Sequence, residues 1–212
     1  MHSIAKFAVA LLLPASIAFA GVPEEVSNLQ QKWEQIRYKT PAPAQEAQYE
    51  QLVNEAQKTV AGNPGSADVL IWYGIIESTY AGAKGGLGAL SHVKNAKKAL
   101  EQAISINPDA LSGSAYTSLG SLYYQVPGWP IGFGDDKKAL EFLKKGLAIN
   151  PDGIDPNYFY GDYLFRKGDY TEAERALNKA LQAAPRPGRK VADEGRRGEI
   201  EQLLAKIAAK RR

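Results

Sequence analysis

The sequence predicts an all-α solenoid, a row of antiparallel helix pairs in which each pair buries its apolar face against the next. One helix-ending phrase occurs three times, in segments 96–108, 136–151 and 173–185, and each copy closes on a proline. In every copy an alanine lies 12 residues before that proline and a leucine lies 8 residues before it. Self-similarity at a fixed period is the pattern of a repeat architecture.

The first 20 residues predict an export signal that is not part of the fold. Lys6 is followed by the apolar run 7–13, and a small-residue cleavage site at 18–20 precedes Gly21. The apolar run is shorter than the roughly 20 residues that span a bilayer, and no later stretch is long enough. We therefore expect cleavage after Ala20 and an exported, periplasmic chain without a transmembrane segment.

Residues 21–63 predict a degenerate N-terminal helical pair. Apolar side chains recur at helical spacing on its first helix, and a proline-rich break at 40–43 separates it from the second. The apolar positions are Val26, Leu29, Trp33 and Ile36. This pair is expected to cap the array at its N-terminal end.

Three repeat units are expected over residues 64–187, each packed through small side chains. A glycine on the first helix of a unit should face an alanine on the second. The pairs are Gly74 with Ala96, Gly120 with Ala139, and Gly161 with Ala173. A larger side chain would force the two helices apart, at a cost of about 1–3 kcal/mol.

The third unit resembles a tetratricopeptide repeat, a helix–turn–helix unit of about 34 residues. Its matching positions are Gly161, Leu164, Gly168, Tyr170, Ala173, Leu177, Ala180 and Pro185. The resemblance, to exported members of that family, implies a right-handed superhelix whose concave groove is lined by the first helix of each unit. Carried onto this chain, the groove positions are Ile71, Ile75, Ser78, Thr117, Ser121, Tyr124, Tyr158, Asp162 and Phe165.

Two glycine-rich inserts lengthen the first two units. From the packing glycine to its alanine there are 12 residues in the third unit, 19 in the second and 22 in the first. The extra residues, 81–90 and 127–134, should emerge on one edge, and insertions on one face often mark a binding face. Trp129 and Phe133 either face a partner or fold back on insert 81–90.

A second resemblance covers roughly residues 65–190. Exported helical repeats with glycine-rich inserts are similar to the TatT-type auxiliary proteins of TRAP transporters. That resemblance implies a small apolar ligand held in an enclosed pocket. Such proteins are usually anchored to lipid through a cysteine, and this chain contains none.

Residues 188–212 predict a C-terminal capping helix. Its apolar stripe consists of Ile200, Leu203, Leu204 and Ile207, while its other faces carry charges of both signs. Mixed signs are typical of a solvated helix face. The alternative for the basic residues is a contact with anionic lipid or an envelope polymer.

Composition argues against several function classes. The net charge of +3 becomes +2 without Lys6, which is too near neutral to predict nucleic-acid binding. The absence of cysteine excludes disulfides and thiolate chemistry. His92 is the one histidine left after cleavage and is expected at the surface, so we expect no catalytic residues, metal site or cofactor.

These observations favour a non-enzymatic binding protein. We expect a scaffold that binds a protein or peptide partner through a tyrosine-rich groove and the two inserts. The alternative is a small-ligand auxiliary protein of a TRAP-type transporter. An open groove would favour the scaffold and a closed pocket the ligand carrier.

Overall fold

The computed structural model describes residues 22–211, and the predicted export signal lies outside them. The described residues form nine helices and no strand, which confirms the predicted fold class. The helices are α1 (Val22–Lys39), α2 (Ala42–Gly62), α3 (Ala67–Lys84), α4 (Ala89–Ile106), α5 (Ala110–Gln125), α6 (Asp136–Ile149), α7 (Ile154–Arg166), α8 (Tyr170–Leu181) and α9 (Lys190–Lys210).

The helices pack as successive pairs around two buried apolar clusters. One cluster runs through α3 to α9, and the other joins α1 and α2 to one face of α3 and to Ala192 of α9. The three predicted units correspond to α3/α4, α5/α6 and α7/α8, and the first helices of neighbouring units touch one another. Burial is therefore continuous along the array, as expected when each unit covers the next.

The packing glycines lie against leucines more closely than against the predicted alanines. A Cβ atom at Gly74 would come within 2.7 Å of Leu100 Cγ, and one at Gly161 within 2.8 Å of Leu177 Cγ. The second unit repeats the contact, at 2.8 Å from Leu143 Cγ. The alanines Ala96 and Ala173 contribute their carbonyl oxygens to these contacts, whereas Ala139 does not appear among the nearest atoms. All three alanines are fully buried.

The second unit contains a left-handed turn that its sequence spacing explains. Ten residues separate Pro64 from Gly74 and Pro151 from Gly161, but 12 separate Pro108 from Gly120. The two extra residues are absorbed at 111–113, where three successive φ angles are +46°, +55° and +72°. Leu111 and Ser112 adopt this conformation without the freedom of glycine, so the turn is held by its surroundings.

The first glycine-rich insert is mostly helical, which corrects the expected ten-residue loop. α3 continues to Lys84 and α4 begins at Ala89, so residues 85–88 form the connection. Ala81 is 4 % exposed and belongs to the main core cluster, so its burial favours continuing the helix through Gly82. The helix then ends at Gly85 and Gly86, whose φ angles of +66° and +59° suit glycine.

The second insert is an ordered loop between α5 and α6. Its ends are held by hydrogen bonds from the Asp135 amide to the Tyr123 carbonyl (2.9 Å) and from the Gly134 amide to the Pro127 carbonyl (3.0 Å). The Asp135 carboxylate then accepts from the backbone amides of Lys137 and Lys138 at the start of α6. The loop connects the two helices of the second unit.

Candidate binding groove

A long groove follows the concave side of the molecule. One end is an open cavity of about 1130 Å³, bordered by α1 to α5, both insert connections, α7 and α9. The other end is a cavity of about 670 Å³ near the left-handed turn and the α8–α9 linker. Both cavities are lined by Ser78, Ser121 and Phe159, so they form one continuous groove.

Several predicted groove residues line this surface. Ser78 and Ser121 lie where the two cavities meet, Tyr158 and Asp162 line the first, and Ile75 lines the second. Thr117 also lines the second cavity, although only 4 % of its surface is exposed.

Three predicted positions lie elsewhere. Ile71 is fully buried in the main core cluster. The Tyr124 hydroxyl donates to Asp162 Oδ2 at 2.8 Å, and that ring borders neither cavity. Phe165 packs against the Tyr170 ring with 5.7 Å between centroids. Of the two predicted groove tyrosines only Tyr158 lines the groove, whereas Tyr38 and Tyr49 line it without having been predicted.

Small hydroxyl side chains make up much of the groove wall. They are Ser78, Thr79, Ser112, Ser114, Thr117, Ser118 and Ser121. Four of them donate to backbone carbonyls one turn earlier, for example Ser121 to Ser118 at 2.9 Å. Their hydrogens are thus already used, and their short side chains leave the groove wide.

Helix α9 forms one wall of the groove and joins its two ends. Its predicted apolar stripe is buried at Ile200, Leu203 and Ile207 and half-buried at Leu204. On another face, Glu199 binds Arg37 of α1 at 2.6 Å. A second link joins Arg189, beside α9, to Glu34 of α1 at 3.1 Å. The helix thus contacts α1, α7 and α8, which closes the array.

Charges near α9 are partly buried, which corrects the prediction of a solvated face. Asp155 accepts from Arg186 at 2.6 Å and from Arg196 at 2.8 Å. Burial alone would raise the pKa of Asp155, but these two guanidinium groups outweigh it and lower the pKa to about 2. The Arg196 guanidinium also lies 4.2 Å from the centre of the Tyr158 ring. This network fixes α9 against α7.

Two tyrosines at the groove have raised hydroxyl pKa values. Burial is the main cause that raises the pKa of Tyr38 to about 12. Burial likewise raises the pKa of Tyr49, which borders the first cavity. Within the described residues, the buried Tyr49 hydroxyl has no hydrogen-bond partner. Because Tyr49 is fully buried, this unpaired hydroxyl is enclosed by the protein and is not offered to the groove.

A histidine–carboxylate pair was missed by the sequence analysis. His92 Nδ1 lies 2.6 Å from Glu77 Oε2, and Glu77 is 1 % exposed. Tyr73 and Asn95 donate to the other Glu77 oxygen at 2.7 and 3.1 Å. The pair borders neither cavity, and its contact links α3 to α4. The spacing of Tyr73 and Glu77 along one helix was the available signal.

The two insert aromatics have different environments. Phe133 packs inward, with its ring edge to face against Tyr123 at 5.5 Å between centroids. The predicted alternative to a partner contact was packing on insert 81–90. Phe133 packs instead on Tyr123 of α5. Trp129 is 90 % exposed and borders neither cavity.

Comparison with known families matches these repeats. Tetratricopeptide-repeat models match residues 87–110 and 131–207. The chain contains tetratricopeptide repeats. No curated protein matches its sequence at a significant level. Tetratricopeptide repeats are protein-interaction modules, which supports a scaffold role in general terms.

Solved structures place the repeats in the same fold. A thermophilic tetratricopeptide-repeat protein from Thermus thermophilus is 18 % identical, with 89 % of this chain and 81 % of that chain aligned and a TM-score of 0.61. MamA is 19 % identical, with 78 % of this chain and 90 % of that chain aligned and a TM-score of 0.46. The likeness in fold is therefore based on the Thermus thermophilus protein alone.

Within residues 22–211 there is no group of three or more histidine, cysteine, aspartate or glutamate residues placed to hold a metal ion. No helix of that same range is long and apolar enough to cross a membrane.

Proposed function

We propose that this protein is an exported, non-enzymatic scaffold that holds a segment of a partner protein in its concave groove. The observation that supports the proposal is the continuity of the groove from the α1/α2 end to the α8–α9 linker. A path of this kind suits an extended segment that contacts several repeats in turn. Repeats of this family create extended concave surfaces for such binding.

The chemistry of the groove suits a segment with apolar side chains and acidic or carbonyl oxygens. Four cationic side chains border the first cavity against two carboxylates. The cations are Arg37, Arg166, Arg196 and Lys206, and the carboxylates are Asp162 and Glu199. A partner segment that supplies acceptors would complement this excess of cations.

A small-ligand carrier of the transporter-auxiliary type fits the groove less well. Pockets of that kind enclose 70–90 % or more of a ligand within roughly 300–1000 Å³. The first cavity alone is about 1130 Å³ and opens to solvent between the insert connections and α9. The proposal therefore favours the partner segment.

Export to the periplasm is part of the proposal and follows from the sequence of residues 1–20. The mature chain would begin at Gly21. Intact mass measurement of the protein recovered from the periplasmic fraction tests both the compartment and the cleavage position.

The groove assignment is tested by filling it. Ser121→Trp places a large ring where the two cavities meet, and we expect it to reduce partner capture from envelope extract about tenfold or more. Ser105→Trp is the matched control, because Ser105 is exposed on α4, borders neither cavity and makes the same bond to a carbonyl three residues earlier. Partners would be identified by mass spectrometry.

Equal capture by Ser121→Trp and the unmodified protein would refute binding in the groove. Loss of capture by both tryptophan variants would point to general damage, which melting curves would reveal.

A further inference from the structure

The edge that carries the insert connections exposes an unusual amount of apolar surface. We call residues 85–88 and 126–135 the insert edge. Among the described residues, four large apolar side chains are exposed, and three of them lie here. They are Leu87 at 84 %, Trp129 at 90 % and Ile131 at 60 %. Clustered exposed apolar side chains mark an interaction surface.

The exposure of Trp129 is held by an ordered backbone. The amides of Ile131 and Gly132 both donate to the Gly128 carbonyl, at 3.2 and 3.1 Å. A Cβ atom at Gly132 would lie 2.5 Å from the Pro127 carbonyl oxygen, so the loop closes tightly on itself there. Phe133 points inward against Tyr123 while Trp129 and Ile131 remain outside. The loop thus packs Phe133 against α5 and leaves Trp129 and Ile131 exposed to solvent.

The charge around the insert edge is positive. Segments 78–100 and 126–134 contain no acidic residue. Four exposed lysines lie within the first three turns of α4 and the first turn of α6, and none forms an ion pair within residues 22–211: Lys94, Lys98, Lys137 and Lys138. The two carboxylates that follow the second insert are already engaged, since Asp135 caps α6 and Asp136 pairs with Lys167.

We propose that the insert edge docks on the surface of an anionic lipid bilayer. Trp129, Ile131 and Leu87 enter the interfacial region, where tryptophan is favoured because its ring is apolar and its N–H is polar. The surrounding lysines bind phosphate groups of the lipids. Binding at a membrane surface grows with buried apolar area and with attraction to anionic lipids, and this edge supplies both.

The geometry favours a bilayer over a protein partner at this edge. The three exposed apolar side chains come from two separate connections. Trp129 borders neither groove cavity, whereas Leu87 and Ile131 lie at the rim of the first. A partner segment in the groove would therefore leave Trp129 uncovered. Docking by the edge keeps the groove free beside the membrane.

The test is sedimentation of the full mature chain with lipid vesicles. Phosphatidylglycerol-containing vesicles should bind the protein, pure phosphatidylcholine vesicles should bind it weakly, and added salt should release it. Trp33 and Trp72 are buried, so a blue shift of tryptophan emission would report on Trp129. The loop variant Trp129→Ala, which leaves the groove lining unchanged, should reduce vesicle binding about tenfold or more.

Two further variants sharpen the result. Ile106→Ala is the matched control, because Ile106 is an exposed apolar residue at the opposite end of α4. It should bind vesicles like the unmodified protein. Lys94→Glu with Lys98→Glu should weaken binding to the anionic vesicles while leaving the melting temperature unchanged.

The proposal is overturned if anionic vesicles do not bind the chain, or if they bind the loop variant equally well. Loss of partner capture by the loop variant, without any vesicle binding, would show that the edge contacts protein instead. Ser121→Trp should bind vesicles normally, so failure of the groove proposal and failure of this one are distinguishable.

Discussion

At the scale of a residue, the distance between paired helices is set by one glycine in each pair, because glycine has no side chain to hold the helices apart. Each packing glycine lets the leucine of the partner helix approach to a distance that a Cβ atom would forbid. Three units repeat the same contact, at Leu100, Leu143 and Leu177. Core atoms at this density cannot yield far, so a larger residue must move a helix.

We expect Gly161→Leu to destabilise the protein by about 1–3 kcal/mol, since even its Cβ would come within 2.8 Å of Leu177 Cγ. The free energy of unfolding would be measured by urea denaturation followed by circular dichroism. Gly82→Leu is the control, because Gly82 is also helical but a Cβ atom there would meet no neighbour within 4 Å. An unchanged midpoint for Gly161→Leu would contradict the packing described for this pair.

The packing glycines could be predicted because a small residue recurs in a fixed frame. Their leucine partners were not predicted. The repeat pattern places a small alanine opposite each glycine, and the leucine that makes the closer contact lies one turn after that alanine. Ile71 and Ile75 share a helical stripe, yet Ile71 is buried and Ile75 borders the groove. Helical periodicity predicts which face a residue lies on, but not how far along that face the neighbouring unit extends.

At the scale of an element, α9 has two different faces. Leu203 is 6 % exposed, while the adjacent Leu204 is half-buried. The apolar stripe was predictable from spacing alone. Its ionic contacts with α1 were not, because partners so far apart along the chain leave no local pattern.

Leu203→Ala is expected to cost about 2–4 kcal/mol, whereas Leu204→Ala should cost clearly less, because only the first removes a buried side chain. Thermal unfolding of the two variants gives a direct comparison. Equal effects would mean that α9 is not anchored by the face described. Removal of all residues after Pro187 should be more damaging than either change.

The first insert also shows how far an element can be predicted. Glycine content alone favours a loop across 81–90, and this expectation failed because Ala81 is buried in the core. Packing outweighs the cost of about 1 kcal/mol for each glycine within a helix. The second insert has prolines at 127 and 130, which interrupt helical hydrogen bonding, and there the loop formed as expected.

At the scale of the whole molecule, α9 joins the last unit to the first helix. An open solenoid has two ends that unfold independently. Here Glu34 and Arg189 are both largely buried and pair at 3.1 Å across that junction. Opening either end therefore disturbs the other.

Glu34→Gln should accelerate amide hydrogen exchange in α1 and α9 together while leaving α6 unchanged, since it leaves the Arg189 charge without its partner. Exchange would be followed by mass spectrometry of peptic fragments. The control is Glu55→Gln, which breaks an exposed pair with Lys32 of the kind that contributes little. Faster exchange confined to α1 would contradict a coupled junction.

The junction between α1 and α9 also affects the order in which the chain can fold. Arg37 and Glu199 are 162 positions apart, so their contact contributes a very high contact order to a fold that is otherwise built from neighbours. Repeat units form quickly through local contacts, whereas distant contacts wait for the whole chain. During synthesis, α1 and α2 emerge long before α9 exists. The α1 surface that receives Glu199 therefore stays uncovered until the C-terminus has been synthesised. A chain that ends before α9 leaves this surface of its first helix pair uncovered.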